Sequence, residues 1–145
     1  MAPDATVRPL RADDAADACA LYDALTAGPT GASVAAFEAV IKHPGTSVLG
    51  ANCQGRIVAM VTLHILPNVA WGGRPYALIE NVITAPDMRR LGYGRLVMSA
   101  AIDMAWAKNT YKIMVMTNPK RGAVGFYQAL GFTSTDKCAM TMRRA

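Results

Sequence analysis

The chain has 145 residues, 52% of them hydrophobic and 17% charged, with a formal net charge of +5. That length suits one domain spanning residues 1–145 with a sizeable core, and the balance excludes a disordered chain. No apolar run approaches the ~20 residues of a membrane span, and the Lys and Arg residues are too scattered to mark a nucleic-acid surface.

The first residues, Met1-Ala2-Pro3-Asp4, lack the basic-then-apolar layout of an export signal. Cys19, Cys53 and Cys138 are odd in number and far apart. They form neither a metal spacing nor a disulfide framework, which suits reduced thiols in a cytoplasmic protein. No metal, membrane or nucleic-acid partner is therefore expected.

In chain order, Thr6 to Leu10 alternates and predicts a short strand, with Pro9 marking an edge or end. Asp13 and Asp14 precede a helix from Ala15 to Ala27, with Ala18, Leu21, Tyr22 and Leu25 on one stripe. Ser33 offers an N-cap for a second helix to Lys42, with Val34, Phe37, Val40 and Ile41 as its apolar face. Pro44-Gly45 ends it. Thr46 to Asn52 and Arg56 to Leu66 read as a hairpin about Gln54-Gly55. A Gly- and Pro-containing loop, Pro67 to Pro75, leads to a strand from Tyr76 to Thr84. Gly94 to Lys108 predicts the central helix, with Val97, Ala101, Met104 and Ala105 facing the core. Tyr111 to Thr117 then reads as a strand reached by a helix crossover, hence parallel to its predecessor. Ala123 to Leu130 is a short helix stopped by Gly131. Phe132 to Thr135 and Cys138 to Arg143 complete the pattern as two closing strands.

The most informative stretch runs from Leu78 to Gly94. An apolar strand ends at Pro86-Asp87, Arg89-Arg90-Leu91-Gly92-Tyr93-Gly94 follows, and a helical pattern begins at once. A helix N-terminus offers unpaired N–H groups and partial positive charge, and glycine lets an anion approach the backbone. Val97 stands where a dinucleotide fingerprint needs its third Gly, and no Lys-Ser/Thr follows Gly94 as a nucleotide P-loop requires. The remaining pattern, Arg-x-x-Gly-x-Gly after Val82-Ile83-Thr84, resembles the pyrophosphate loop of the GNAT superfamily of acyl-CoA-dependent N-acyltransferases. Gly125-Phe126-Tyr127-Gln128-Ala129-Leu130-Gly131-Phe132 is similar to a second GNAT segment, Phe-Tyr-x-x-x-Gly-Phe. The element order resembles the full GNAT fold along essentially the whole chain.

The resemblance implies a single-domain α/β GNAT fold. Its central sheet would be mixed but mostly antiparallel, of about seven strands, with a splayed parallel pair and helices on both faces. It implies acetyl transfer from acetyl-CoA to a primary amine of a small molecule, directly, in a ternary complex. Val82, Ile83 and Thr84 would bind the pantetheine arm through backbone groups freed by a bulge, one N–H polarising the thioester. Arg89, Arg90, Leu91, Gly92, Tyr93 and Gly94 would hold the pyrophosphate, with Arg95 and Asn118 as further cofactor contacts. Tyr127 would protonate the departing thiolate.

Glu80 is the acceptor-side acid–base candidate, since a carboxylate in an apolar strand is costly unless paired or functional. Alternation puts it on the face of Leu78 and Val82, with Asn81 opposite; the structural alternative is pairing with Arg74. His64, on the neighbouring strand, is a second candidate base. Tyr22, Phe37, His43, Trp71, Arg74 and Tyr76 are candidates to line the acceptor entrance. A non-catalytic acyl-CoA-binding module and a protein-amine acetyltransferase are the alternatives. Relatives in this family commonly dimerise, so a homodimer is expected, with Ile102, Trp106 and the Met-rich C-terminal strand as candidate contacts.

Overall fold

The computed structural model describes residues 4–26 and 28–144. The N-terminal Met1 to Pro3 and the expected helix end at Ala27 lie outside them. Two compact units divide the chain, one running to Met114 and the other beginning at Val115.

The first unit is built on an antiparallel ladder. β1 (Thr6–Pro9), β2 (Thr46–Cys53), β3 (Arg56–Leu66) and β4 (Tyr76–Thr84) lie side by side in that order. The β2–β3 turn uses Gln54 and Gly55 at φ of 52° and 88°. Two left-handed residues match the twist of a two-residue hairpin. Asn52 Oδ1 accepts from the Gly55 N–H at 2.8 Å and steadies it. β5 (Ile113–Val115) is the fifth strand, next to β4. Tyr111 N–H donates to Pro75 O and Ala77 N–H to Lys112 O. The second bond lies further along both chains, which is the parallel sense.

β3 carries the run Ile57-Val58-Ala59-Met60-Val61-Thr62-Leu63, buried throughout. Such a run needs cover on both faces. α1 (Ala15–Leu25) and α2 (Val34–Lys42) supply one side. Ala18, Leu21 and Phe37 join Val48, Ile57, Met60 and Ile83 in one core cluster. α3 (Tyr93–Ala107) covers the other, burying Tyr93, Val97, Met98, Ala101 and Ala105. Ser33 Oγ accepts from the Ala36 N–H at 3.1 Å and caps α2, as its position predicts. Val34 is 52% exposed and stands outside the apolar face expected for that helix.

The second unit contains α4 (Val124–Ala129). The expected seven strands are corrected to five among the described residues. Residues 132–144 form no strand or helix. Cys138 to Met142 is mostly apolar in sequence, yet Met140 and Met142 are 90% and 98% exposed. A strand requires a ladder partner and an apolar layer over its hydrophobic face, and this segment has neither. The expected strand Tyr111 to Thr117 shortens to Ile113–Val115, with Met116 already 53% exposed.

Candidate active site

β4 does not alternate evenly. Thr62 lies opposite Glu80 and Met60 opposite Ile83, so Val61 alone faces two residues, Asn81 and Val82. This is a β-bulge, which takes the backbone of those two residues out of the regular ladder. Asn81 adopts φ 53°, a left-handed value that Asn tolerates better than most residues. The extra residue resets the faces. Ile83, rather than the expected Val82, shares the face of Leu78 and Glu80, alongside Met60, Thr62 and His64.

The chain leaves β4 under tight control. Ala85 N–H donates to Val58 O at 2.8 Å, and a 3₁₀ turn follows at Pro86–Met88. Asp87 accepts two hydrogen bonds from Arg56, at 2.8 and 3.1 Å. This pair holds the Asp87 carboxyl below its ordinary range and raises the Arg56 guanidinium. Arg89 Nε returns to Thr84 O at 3.3 Å. Arg90 and Gly92 both take positive φ, 63° and 93°. Leu96 N–H donating to Gly92 O closes the first bond of α3. The N–H groups of Tyr93, Gly94 and Arg95 lie ahead of it, and Gly92 offers them no side-chain cap. Arg89, Arg90, Leu91, Gly92 and Arg95 are exposed around that end. Open amides, a helix dipole and three arginines suit a polyanion. The Tyr93 side chain turns inward instead, its hydroxyl 3.5 Å from Cys53 Sγ. That contact, with burial, holds its phenol above the ordinary range, so Tyr93 offers its backbone alone.

Glu80 is half-buried, and its side chain has no hydrogen bond or ion pair among the described residues. Glu80 makes no ion pair with Arg74, whose guanidinium is engaged elsewhere. Arg74 donates to Asn109 O at 3.2 Å and Thr110 O at 2.9 Å. Opposite Glu80, Thr62 Oγ1 is buried without a hydrogen-bond partner. One register step away, Thr46 Oγ1 lies 2.9 Å from His64 Nδ1 and 2.9 Å from His43 Nδ1. Met60, Thr62 and Ile83 are buried, whereas His64, Tyr76, Leu78 and Glu80 on the same face are half-exposed. The face thus opens toward the Leu66/Tyr76 end of the hairpin.

Of the expected acceptor-lining residues, Phe37 is 3% exposed and belongs to the core. Trp71 is 69% exposed and stacks on Tyr111 with ring centroids 5.7 Å apart. Lys112 Nζ sits 5.6 Å from the Tyr76 ring and 5.3 Å from that of Tyr111. Thr46 and Thr62 were not legible as site residues, because their role depends on strand register. Among the described residues, no group of three or more His, Cys, Asp or Glu could hold a metal ion.

In the second unit, Asn118 Oδ1 accepts from the Lys120 N–H at 3.0 Å and caps the turn Pro119–Arg121. Tyr127 is half-buried on α4, edge-to-face with Phe126 at 5.1 Å and with Phe132 at 6.1 Å. Phe132 N–H donates to Tyr127 O at 3.1 Å after Gly131 turns the chain at φ 96°. The segment around Tyr127 is thus a compact aromatic knot.

Three comparisons bear on these features. Residues 14–132 match the family model described as the acetyltransferase (GNAT) family. A glucosamine 6-phosphate N-acetyltransferase from Trypanosoma brucei brucei is 28% identical over 138 residues, 92% of each chain. Among solved structures, a protein from Agrobacterium tumefaciens str. C58 superposes with a TM-score of 0.89 at 36% identity, covering 96% of this chain and 99% of that one. An acetyltransferase from Trypanosoma brucei gives a TM-score of 0.82 at 26% identity, over 97% of this chain and all of its own.

Proposed function

Because the chain belongs to the GNAT acetyltransferase family, we propose that it moves acetyl from acetyl-CoA directly to a primary amine of a small molecule. One observation carries this reading: a bulged strand running straight into an uncapped, arginine-ringed helix N-terminus. The pyrophosphate is assigned to the N–H groups and side chains of Arg89, Arg90, Leu91, Gly92, Tyr93 and Gly94. Arg95 and the free amide of Asn118 are further contacts. The pantetheine arm is assigned to the Val82, Ile83 and Thr84 backbone, where an N–H would meet the developing oxyanion. Glu80 receives the acceptor amine, and Tyr127 returns a proton to the thiolate. A phenol suits that step, its basicity being close to that of a thiolate leaving group.

The named T. brucei relative acts on glucosamine 6-phosphate, so phosphorylated amino sugars head the list of acceptors to test. The free thiols of Cys19, Cys53 and Cys138 suit a reducing cytoplasm. Trp106, 51% exposed on α3, supports a homodimer, which sedimentation would test.

The test is acetyl-CoA-dependent thiol release against amino-sugar phosphates, aminoalkylphosphonates, polyamines, aminoglycosides and amino acids. Turnover should appear with one class. Tyr127→Phe should lower kcat about 100-fold or more, and Glu80→Gln should lower kcat/KM by a similar factor. Acetyl-CoA binding without turnover on any amine, protein tails included, would replace the enzyme with an acyl-CoA-binding module.

A further inference from the structure

The chain has two histidines, His43 and His64, and both lie against one hydroxyl. Local chemistry builds this junction. Thr46 N–H donates to His43 O at 3.1 Å across Pro44-Gly45, with Gly45 at φ 79°. Pro then left-handed Gly is the type II turn signature. Ile65 N–H donates to Gly45 O at 2.7 Å, and a Cβ on Gly45 would stand 2.7 Å from the Ile65 carbonyl oxygen. The turn is therefore pinned to β3 beside His64, and the ladder pairs Thr46 with His64.

The hydroxyl of Thr46 has one hydrogen, so it can donate to only one ring and must accept from the other. His43 is exposed, and its ring can carry its hydrogen on Nε2, away from Thr46. Its Nδ1 is then an acceptor, and Thr46 donates to it. Thr46 in turn accepts from His64 Nδ1–H, which leaves a lone pair on His64 Nε2. His64 lies diagonally across the ladder from Glu80, on the same face, at a Cβ separation of about 7 Å. Buried Thr62 Oγ1, without a partner, sits directly opposite Glu80. A buried hydroxyl left unpaired is costly, which sets Thr62 apart from the other threonine of this face, Thr46.

Resting on the function proposed above, we propose that His64 is the base for the acceptor amine and that Thr46 and His43 carry its proton to solvent. The amine nitrogen forms a bond to the thioester carbon and gives a proton to His64 Nε2. The Nδ1 hydrogen of His64 passes to Thr46 Oγ1, whose own hydrogen passes to His43 Nδ1. Exposed His43 releases its Nε2 proton to water, and exchange with water returns the hydrogens to His64 Nδ1 and His43 Nε2 before the next turnover. The C–S bond breaks, and the thiolate takes its proton from Tyr127. Glu80 then holds and orients the amine without accepting its proton.

Nitrogen-15 spectra of the two imidazoles test the wiring without any substrate. His64 should carry its hydrogen on Nδ1 and His43 on Nε2, and Thr46→Val should move the His64 hydrogen to Nε2. A His64 ring protonated at Nε2 in the parent protein overturns the proposal. With the acceptor found by the amine panel, Thr46→Val and His64→Gln should lower kcat about 100-fold with KM changed less than about twofold. Thr46→Ser should restore the rate, and added imidazole should restore part of it in His43→Gln. A Thr46→Val enzyme at full rate overturns the relay alone. Absence of turnover with every amine overturns the proposed function and the base role together.

Discussion

β4 and the segment from Phe132 to Arg144 carry similar signals in sequence, and they fare differently. Both carry apolar residues in short runs, and both read as strands. β4 has neighbours on both edges and helices over both faces. Cys138 to Met142 is also mostly apolar but stays irregular and exposed. An apolar run therefore says that a strand could be buried; it does not say that anything covers it. The segment that forms is the one whose pattern is interrupted, by Glu80 and Asn81, and that interruption is where the candidate site lies.

The largest contrast should be in stability. Ile79→Ala, at a fully buried position of β4, should cost about 2–5 kcal/mol in denaturant unfolding. Met142→Ala should stay within about 0.5 kcal/mol. Equal costs would mean that the C-terminal segment is packed in solution and the contrast is false. A second pair sharpens the comparison at the glycines preceding each region's key turn. Gly92 and Gly131 have φ of 93° and 96°. Replacing either with Ala should cost about 1–2 kcal/mol. Only Gly92→Ala should also weaken acetyl-CoA binding, by roughly tenfold in titration calorimetry.

The smallest effect concerns acid. The Asp14 carboxyl is lowered from its ordinary value of 3.8 by its hydrogen bonds from Arg8, and that of Asp87 by those from Arg56. A lowered carboxyl stabilises the fold above the ordinary value and loses that contribution as pH falls through the lowered one. Melting temperature should therefore drop below about pH 4. Asp14→Asn should flatten that drop more than Asp87→Asn, because Asp14 is the better shielded of the two. The reverse order would mean that the Arg56–Asp87 clamp at the end of β4 matters more than its exposure suggests.

Much of the fold could be read from local chemistry. Ser33, Gln54-Gly55 and Gly131 each do in the structure what their residue types predict. The loop from Arg89 to Gly94 was legible for the same reason, since contiguous residues specify it. The family resemblance implied a bulge in β4, but its place at Asn81 was not legible, because a polar residue in a strand signals either an outward face or an extra residue. The His43–Thr46–His64 junction lies further from view. Its members are as many as 21 positions apart, and a one-residue slip of β2 against β3 would separate them. The closing strands failed for the opposite reason: their residues fit a strand, and cover is a property of the whole molecule.

The bulge has a further meaning for how this strand tolerates change in length. Glu80 pairs with Thr62 and Ile83 with Met60. Excising Asn81 alone would let Val82 pair with Val61 and would leave every other partner of β4 as it is. Leu78, Glu80 and Ile83 would keep their face, and Ile79 and Thr84 theirs. The protein thus carries one residue that its core does not require. A gene lacking that single codon would encode a more regular sheet with the same interior, and the bent backbone beside Glu80 would be gone.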